Sequence, residues 1–434
     1  MSPELIGVLG LLALFILLAM RMQIGFAMAL VGFVGFIILN NFSAAMGVLG
    51  LEPFKITADY TLSVIPLFLL MGEFANESRM GAELYDMLYK WIGFLPGGLA
   101  MATVGACAFF AAITGSSLAT AAMFGMIAYP EMRKLNYAET LATGCIAAGG
   151  TLGILIPPSS VLIIYGILTE QSIARLFIAG MLPGILLALI FMGTIFVITK
   201  RRPELGAPGP RFPIRQKMAS LKATWGIILL FILVIGGLYT GWFTPTEAAG
   251  VGAFGAFVLA LLKRSMGWNT LVSSLKGTVR STAFIFGILI GAMVFQYFMT
   301  LSQIPEKLAS WIVMMGVGRY VVVSAIILAF MIMGCFMEGL SIMFLAIPIV
   351  YPIVVRLGFD PIWFGVIITL TMEMSLITPP VGVNVFVLHG VVKDVPMYTI
   401  FRGILPFWIA MIICIIILVM FPQIALFLPN TMMG

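Results

Sequence analysis

Gly149-Gly150-Thr151-Leu152-Gly153-Ile154-Leu155-Ile156-Pro157-Pro158 interrupts an apolar run part-way along its length. Glycines and a proline pair packed this closely end or unwind a helix. A proline pair recurs at Pro379-Pro380, 222 residues further on, again inside an apolar run. Working outward, other markers fall into the same register. Tyr129-Pro130 meets Tyr351-Pro352 at an offset of 222, and Trp91-Ile92 meets Trp311-Ile312 at 220. Val31-Gly32-x-x-Gly35 meets Val251-Gly252-x-x-Gly255 at 220, and Gly180-x-x-Pro183 meets Gly403-x-x-Pro406 at 223. Five pairs in one order, drifting by three residues, make the chain two copies of one unit. The longest polar stretch, Lys200–Lys222, is rich in Pro, Arg and Lys and reads as the loop joining them. The expected organisation is residues 1–199, a linker at 200–222, and residues 223–434.

Composition decides the solvent. The chain is 62% hydrophobic and 9% charged, where a soluble domain carries about 25% charged residues. Ile178–Ile198 and Phe407–Met420 contain no charged residue, and runs near 20 residues suffice to cross about 30 Å of hydrocarbon. Backbone groups in lipid must be satisfied within the chain, so these runs are expected to be helices. No alternation of polar and apolar residues supports a barrel. The net charge of +6 is not clustered with aromatics on a polar segment, so it reads as a topology signal and not as a nucleic-acid surface. Cys107, Cys145, Cys335 and Cys414 stand singly in apolar segments without metal-ligand or redox spacing and read as packing residues. Met1–Met20 lacks a basic start and a small-residue cleavage site, and reads as a first membrane helix.

Each unit divides alike. In the first, apolar segments run Leu5–Met20, Ile24–Leu39 and Asp59–Glu73, followed by an amphipathic stretch, Gly81–Ile92. Gly97–Ile113 and Ser116–Met126 are short and joined by Thr114-Gly115, which predicts a re-entrant hairpin. The broken segment and Ile178–Ile198 complete the unit. Five crossings plus a hairpin is an odd count, so the second unit enters from the opposite face. With 200–222 in the cytoplasm, eighteen of the 23 Lys and Arg fall inside, and only Lys55, Arg175, Lys307, Arg319 and Arg356 outside. Both termini then lie outside. The fold class expected is an all-α polytopic membrane protein of two inverted-topology repeats, with two re-entrant hairpins and two broken helices.

Inverted repeats with discontinuous helices point to a carrier whose site lies near the membrane midplane. Interrupted helices free carbonyls for a hard cation and present N-termini to anions. The first candidate region is Thr114-Gly115-Ser116-Ser117 facing Gly149–Gly153. The second is Glu338-Gly339-Leu340-Ser341 facing Thr371–Ser375 and Thr378-Pro379-Pro380. Against this stands the reading that small residues simply allow close helix packing. Glu338 and Glu373 lie near the second break, where an intramembrane acid is a functional candidate. Glu247 follows Pro245 and doubles as an ordinary helix-start acid. His389 is the single histidine and sits at a helix end beside Gly390. No nucleophile–His–acid set, metalloprotease motif or nucleotide loop occurs, so the chain reads as a non-enzyme driven by an ion gradient.

At these motifs the sequence resembles a family. Pro66-Leu67-Phe68-Leu69-Leu70-Met71-Gly72-Glu73, Ile156-Pro157-Pro158-Ser159 and Ile377-Thr378-Pro379-Pro380-Val381-Gly382-Val383-Asn384 are similar to the large membrane subunit of tripartite ATP-independent periplasmic (TRAP) transporters, along the whole chain. The resemblance implies Na⁺-coupled uptake of a small organic acid across the inner membrane by an elevator motion. It also implies two partners, a small four-helix membrane subunit and a periplasmic substrate-binding protein. It places one Na⁺ around Gly115, Ser116, Ser117, Gly150 and Gly153, and another around Gly339, Ser341, Thr371, Ser375 and Thr378. Substrate contact is implied at Thr114, Ser159, Ser160, Glu338 and Asn384. The second tip departs from the first, with Met337-Glu338-Gly339 in place of Gly115-Ser116-Ser117, so two identical ion sites are not expected. A stand-alone organic-anion carrier or Na⁺/H⁺ antiporter is the alternative, disfavoured by the few membrane carboxylates.

Overall fold

The computed structural model describes residues 2–78, 80–337 and 339–432, so Glu338 lies outside the described residues. Every regular element among them is helical. The first unit runs α1 (Pro3–Ala19), α2 (Ile24–Leu39), α3 (Phe42–Ala58), α4 (Val64–Glu77), α5 (Met80–Ile92), α6 (Gly98–Thr114), α7 (Ser117–Lys134), α8 (Glu139–Gly150), α9 (Leu152–Leu155), α10 (Ser160–Thr169) and α11 (Ile173–Arg201). The linker contains α12 (Ile214–Ala223). The second unit runs α13 (Trp225–Tyr239), α14 (Pro245–Leu262), α15 (Trp268–Ser302), α16 (Ile304–Met314), α17 (Arg319–Gly334), α18 (Gly339–Arg356), α19 (Pro361–Ser375), α20 (Val383–Val391), α21 (Met397–Met420) and α22 (Gln423–Thr431). Two helices, an entry helix, an amphipathic arm, a helical pair, a broken helix and a long helix therefore occur twice in one order.

Among the described residues six helices are long and apolar enough to cross a membrane, or up to eight if each bent pair is one span. The remaining crossings expected from the sequence would fall on apolar helices of 10–17 residues, α1 and α2 among them. Polar residues mark the helix starts. Asn41 Oδ1 accepts from Ala44 N at 2.8 Å, and Asp360 Oδ1 accepts from Ile362 N and Trp363 N at 2.8 and 3.1 Å. Thr244 and Glu247 form a reciprocal capping box at the start of α14. That gives Glu247 its ordinary helix-start role. His389 Nδ1 lies 3.0 Å from Val395 O and closes the turn after α20.

Two differences from the sequence reading concern segments expected to be loop. Residues 42–58 are helical, and the chain bends by 56° into α4. The bend is at Asp59, whose carboxylate accepts from Thr61 N at 2.7 Å and starts a short 3₁₀ turn. The linker is also partly ordered as helix, and α12 meets α13 at 53°. Its preceding strap is tied to the ends of the helical pair. Gly97 N donates to Gly206 O at 3.1 Å, Ala138 N to Leu205 O at 2.9 Å, and Gly209 N to Gly93 O at 2.8 Å.

Packing divides the helices into an outer frame and an inner body. In the frame, α15 lies along α2, α3 and α4, and α14 along α4 and α13. A Cβ at Gly25 would lie 2.7 Å from Gly287 O, and one at Gly32 2.7 Å from Phe295 Cα, so glycine lets α2 and α15 touch backbone to backbone. In the inner body, α8 contacts α6, α7 and α21, while α19 contacts α11, α17, α18 and α21. Fifteen of 17 residues of α6 and fourteen of 15 of α19 are buried, as in a helix surrounded by protein. The broken span Glu139–Thr169 is 83% buried over its apolar window, against 33% for Ile173–Arg201. Irregular backbone at membrane depth is thus sheltered by protein, as it must be.

Candidate transport site

The turn between α6 and α7 is Gly115-Ser116, with Gly115 at φ +57°, a conformation that favours glycine. Ser116 caps α7, its Oγ accepting from Ala119 N at 3.3 Å. This tip rests on the first break as expected. A Cβ at Gly115 would meet Pro158 O at 2.5 Å, and one at Gly153 would lie 2.8 Å from the Ser116 carbonyl carbon. A Cβ at Gly150 would meet Ala121 Cβ at 2.9 Å and Ser117 O at 3.1 Å. Close approach alone is thus a sufficient reason for glycine at 150 and 153. Gly339 differs, since its Cβ would meet only the flexible Met372 Cε, at 3.1 Å.

The second break runs from Leu376 to Gly382. Gly382 has φ +56°, and Asn384 N reaches back to Leu376 O at 3.1 Å. Glu373, in the last turn of α19, is only 1% exposed and accepts from Ser117 Oγ through both carboxylate oxygens, at 2.9 and 2.8 Å. One hydroxyl from the first unit is therefore clamped on one buried acid from the second.

Beside this clamp is a cavity of about 450 Å³. Gly115, Ser116 and Ser117 of the first tip, Ser160 after the first break, Gly339, Met372 and Glu373 of the second unit, and Arg280, Ser281, Phe284 and Ile285 of α15 line it. Thr114 lies off this cavity, in a gap of about 20 Å³ with Pro158 and Ser160. Gly150, Gly153, Ser159, Ser341, Thr371, Ser375, Thr378 and Asn384 do not line it.

Several of these hydroxyls already have partners. Thr371, Ser375 and Thr378 donate to Ile367 O, Met372 O and Met374 O at 2.8, 2.6 and 2.7 Å. Thr378 Oγ1 also accepts from Trp408 Nε1 at 3.0 Å, and Ser159 Oγ from Leu162 N at 3.2 Å. Asn384 is fully buried, and its Oδ1 has no hydrogen-bond partner among the described residues. No group of three or more His, Cys, Asp or Glu able to hold a metal occurs among the described residues. Among the described residues a cation here would be held by hydroxyls, carbonyls and a single acid, a donor set that suits Na⁺ better than a transition metal.

Sequence reasoning passed over Arg280 as a site residue, because it counted only as a topology charge. Met372 and Glu373 at the end of α19, with Leu376 just after it, line the cavity together, as their helical spacing allows.

Residues 11–424 match the family "Tripartite ATP-independent periplasmic transporter, DctM component". The chain belongs to this family. It is 39% identical to the C4-dicarboxylate TRAP transporter large permease protein DctM of Pseudomonas aeruginosa, over 88% of this chain and 89% of that one. It is 31% identical to the sialic acid TRAP transporter large permease protein SiaM of Vibrio cholerae, over 96% and 97%. The fold is similar to that of the Alcanivorax borkumensis YdaH transporter, with a TM-score of 0.62 at 15% identity, covering 90% of this chain and 88% of that one. The protein is a multi-pass TRAP transporter large permease subunit.

Proposed function

We propose that this permease moves a small organic acid into the cell across the bacterial inner membrane, driven by a Na⁺ gradient. The observation that carries the reading is the convergence of both breaks and the first tip on one cavity, with Ser117 and Glu373 joining the two units beside it. Hairpins and broken helices form one packed body, and α1–α4 with α13–α15 form another. Sliding the first body along the second would carry the cavity between membrane faces. In this elevator the two units have opposite orientations, both termini lie in the periplasm and the 200–222 linker in the cytoplasm.

Na⁺ is assigned to the tip–break contacts. Carbonyls near Gly115, Gly150 and Gly153, with Ser116 and Ser117, form one shell. Gly339, Ser341, Thr371, Ser375 and Thr378 outline the other, with the hydroxyls of Thr371, Ser375 and Thr378 needing to turn from their own helix carbonyls. Substrate arrives from a periplasmic binding protein, and a small four-helix membrane subunit accompanies the chain, as the family's tripartite name supports. The C4-dicarboxylate and sialic acid relatives make small carboxylates the first substrates to test. Reconstitution into liposomes with both partners is the test, using labelled succinate and sialic acid. Accumulation should require Na⁺ outside and vanish when K⁺ replaces it. Uptake that ignores Na⁺ would end the coupling assignment, and uptake without the binding protein would favour a stand-alone carrier.

A further inference from the structure

The cavity is lined from both packed bodies. Among the described residues only two charged side chains line it, Glu373 on the inner body and Arg280 on α15 of the frame. Glu373 is occupied by Ser117. Arg280 is exposed and has no ion pair or hydrogen bond among the described residues. Glu73 on α4 approaches the backbone of α15 one turn earlier, where a Cβ at Gly277 would lie 2.7 Å from Glu73 Oε1, and makes no ion pair with Arg280. A guanidinium with no partner among the described residues, on the wall of a membrane-protein cavity that hydroxyls also line, suits a planar anion.

We propose that Arg280 binds the acid group of the transported solute and is the residue that makes this cavity select anions. The inference rests on the cavity being the transport site. Ser116, Ser117 and Ser160 of the inner body line the same cavity and are left to the neutral or hydroxylated end of the solute. Because α15 packs along α2, α3 and α4, Arg280 belongs to the frame while the tips belong to the other body. The contact therefore exists only in the arrangement in which the tips face α15, and the solute must exchange this cation for another partner as the bodies slide.

The test uses Leu118, which lines the cavity and is 38% exposed. Leu118→Cys in a Cys335→Ala background is reacted with a maleimide in membranes containing the full transporter, with succinate, N-acetylneuraminate or isethionate as protectant. At least one should slow labelling. Arg280→Gln should then raise its half-protecting concentration roughly tenfold, the loss of one charge-assisted pair, with Arg280→Lys intermediate. Dimethyl succinate should protect neither protein. Protection that is unchanged in folded Arg280→Gln, or protection by the diester equal to that by succinate, overturns the role of Arg280 and leaves the cavity as the site. Failure of all three anions to protect Leu118→Cys itself overturns both.

Discussion

Ser117 and Glu373 are 256 residues apart in sequence and joined by one hydroxyl in a buried place. A carboxylate left without a donor in such surroundings costs about 1–3 kcal/mol or more. Ser117→Ala should therefore destabilise the detergent-solubilised protein by about that amount. Ser117→Ala with Glu373→Gln should recover part of it, since a neutral amide is cheaper to bury than an orphaned acid. Thermal unfolding of the two single variants and the double variant measures the coupling, and strictly additive effects would deny it. The glycines make a second contrast. Gly153→Ala puts a methyl group 2.8 Å from backbone, which no side-chain rotation relieves, whereas Gly339→Ala meets only the end of Met372. The first should lose transport and stability together. The second should fold as the native protein does, and any change in its half-saturating Na⁺ concentration would then report on the ion shell alone.

At the scale of elements, the sequence exposed what depends on local chemistry. The tip at Gly115-Ser116, the breaks around Gly149–Pro158 and Ile377–Pro380, and the amphipathic arm at Gly81–Ile92 were readable because glycine, proline and helical periodicity act within a few residues. Arg280 was not, because its role depends on α15 lining the same cavity as a tip more than 160 positions away. The helix at 42–58 and the strap at 203–209 escaped for the same reason: polar or mixed composition says loop until tertiary partners supply the hydrogen bonds. Tyr137 holds the strap, donating to Ala207 O at 2.8 Å and accepting from Leu99 N at 3.3 Å. Tyr137→Phe leaves both backbone groups unmatched and should cost about 1 kcal/mol, with faster proteolysis at Arg202 and Arg211. Burial pushes the Tyr137 phenol from 10.0 up to about 12. Its folded form thus holds the proton more tightly than the unfolded chain, and the contribution is complete below pH 10 and lost as pH rises to about 12. That alkaline loss should be absent from Tyr137→Phe.

For the whole molecule, the decisive question is orientation. The recurrence of one element order in both units fits either parallel or opposed copies, and charge separates them. Opposed copies put the linker in the cytoplasm and both chain ends in the periplasm, with eighteen of 23 cations inside. If the helical pairs were full crossings, downstream segments would reverse and this bias would weaken. Glu204 in the strap and Asn430 in α22 are both exposed, and neither lines the cavity. A cysteine at Glu204 should react with an impermeant maleimide only in inside-out vesicles, and a cysteine at Asn430 only in whole cells with a permeabilised outer membrane. Cytoplasmic labelling at Asn430 together with cytoplasmic labelling at Glu204 would require an even number of crossings in the second unit. The pair α17–α18 or the broken helix would then have to be counted differently, and the sliding of one inner body between two oppositely oriented arms would lose its geometric basis.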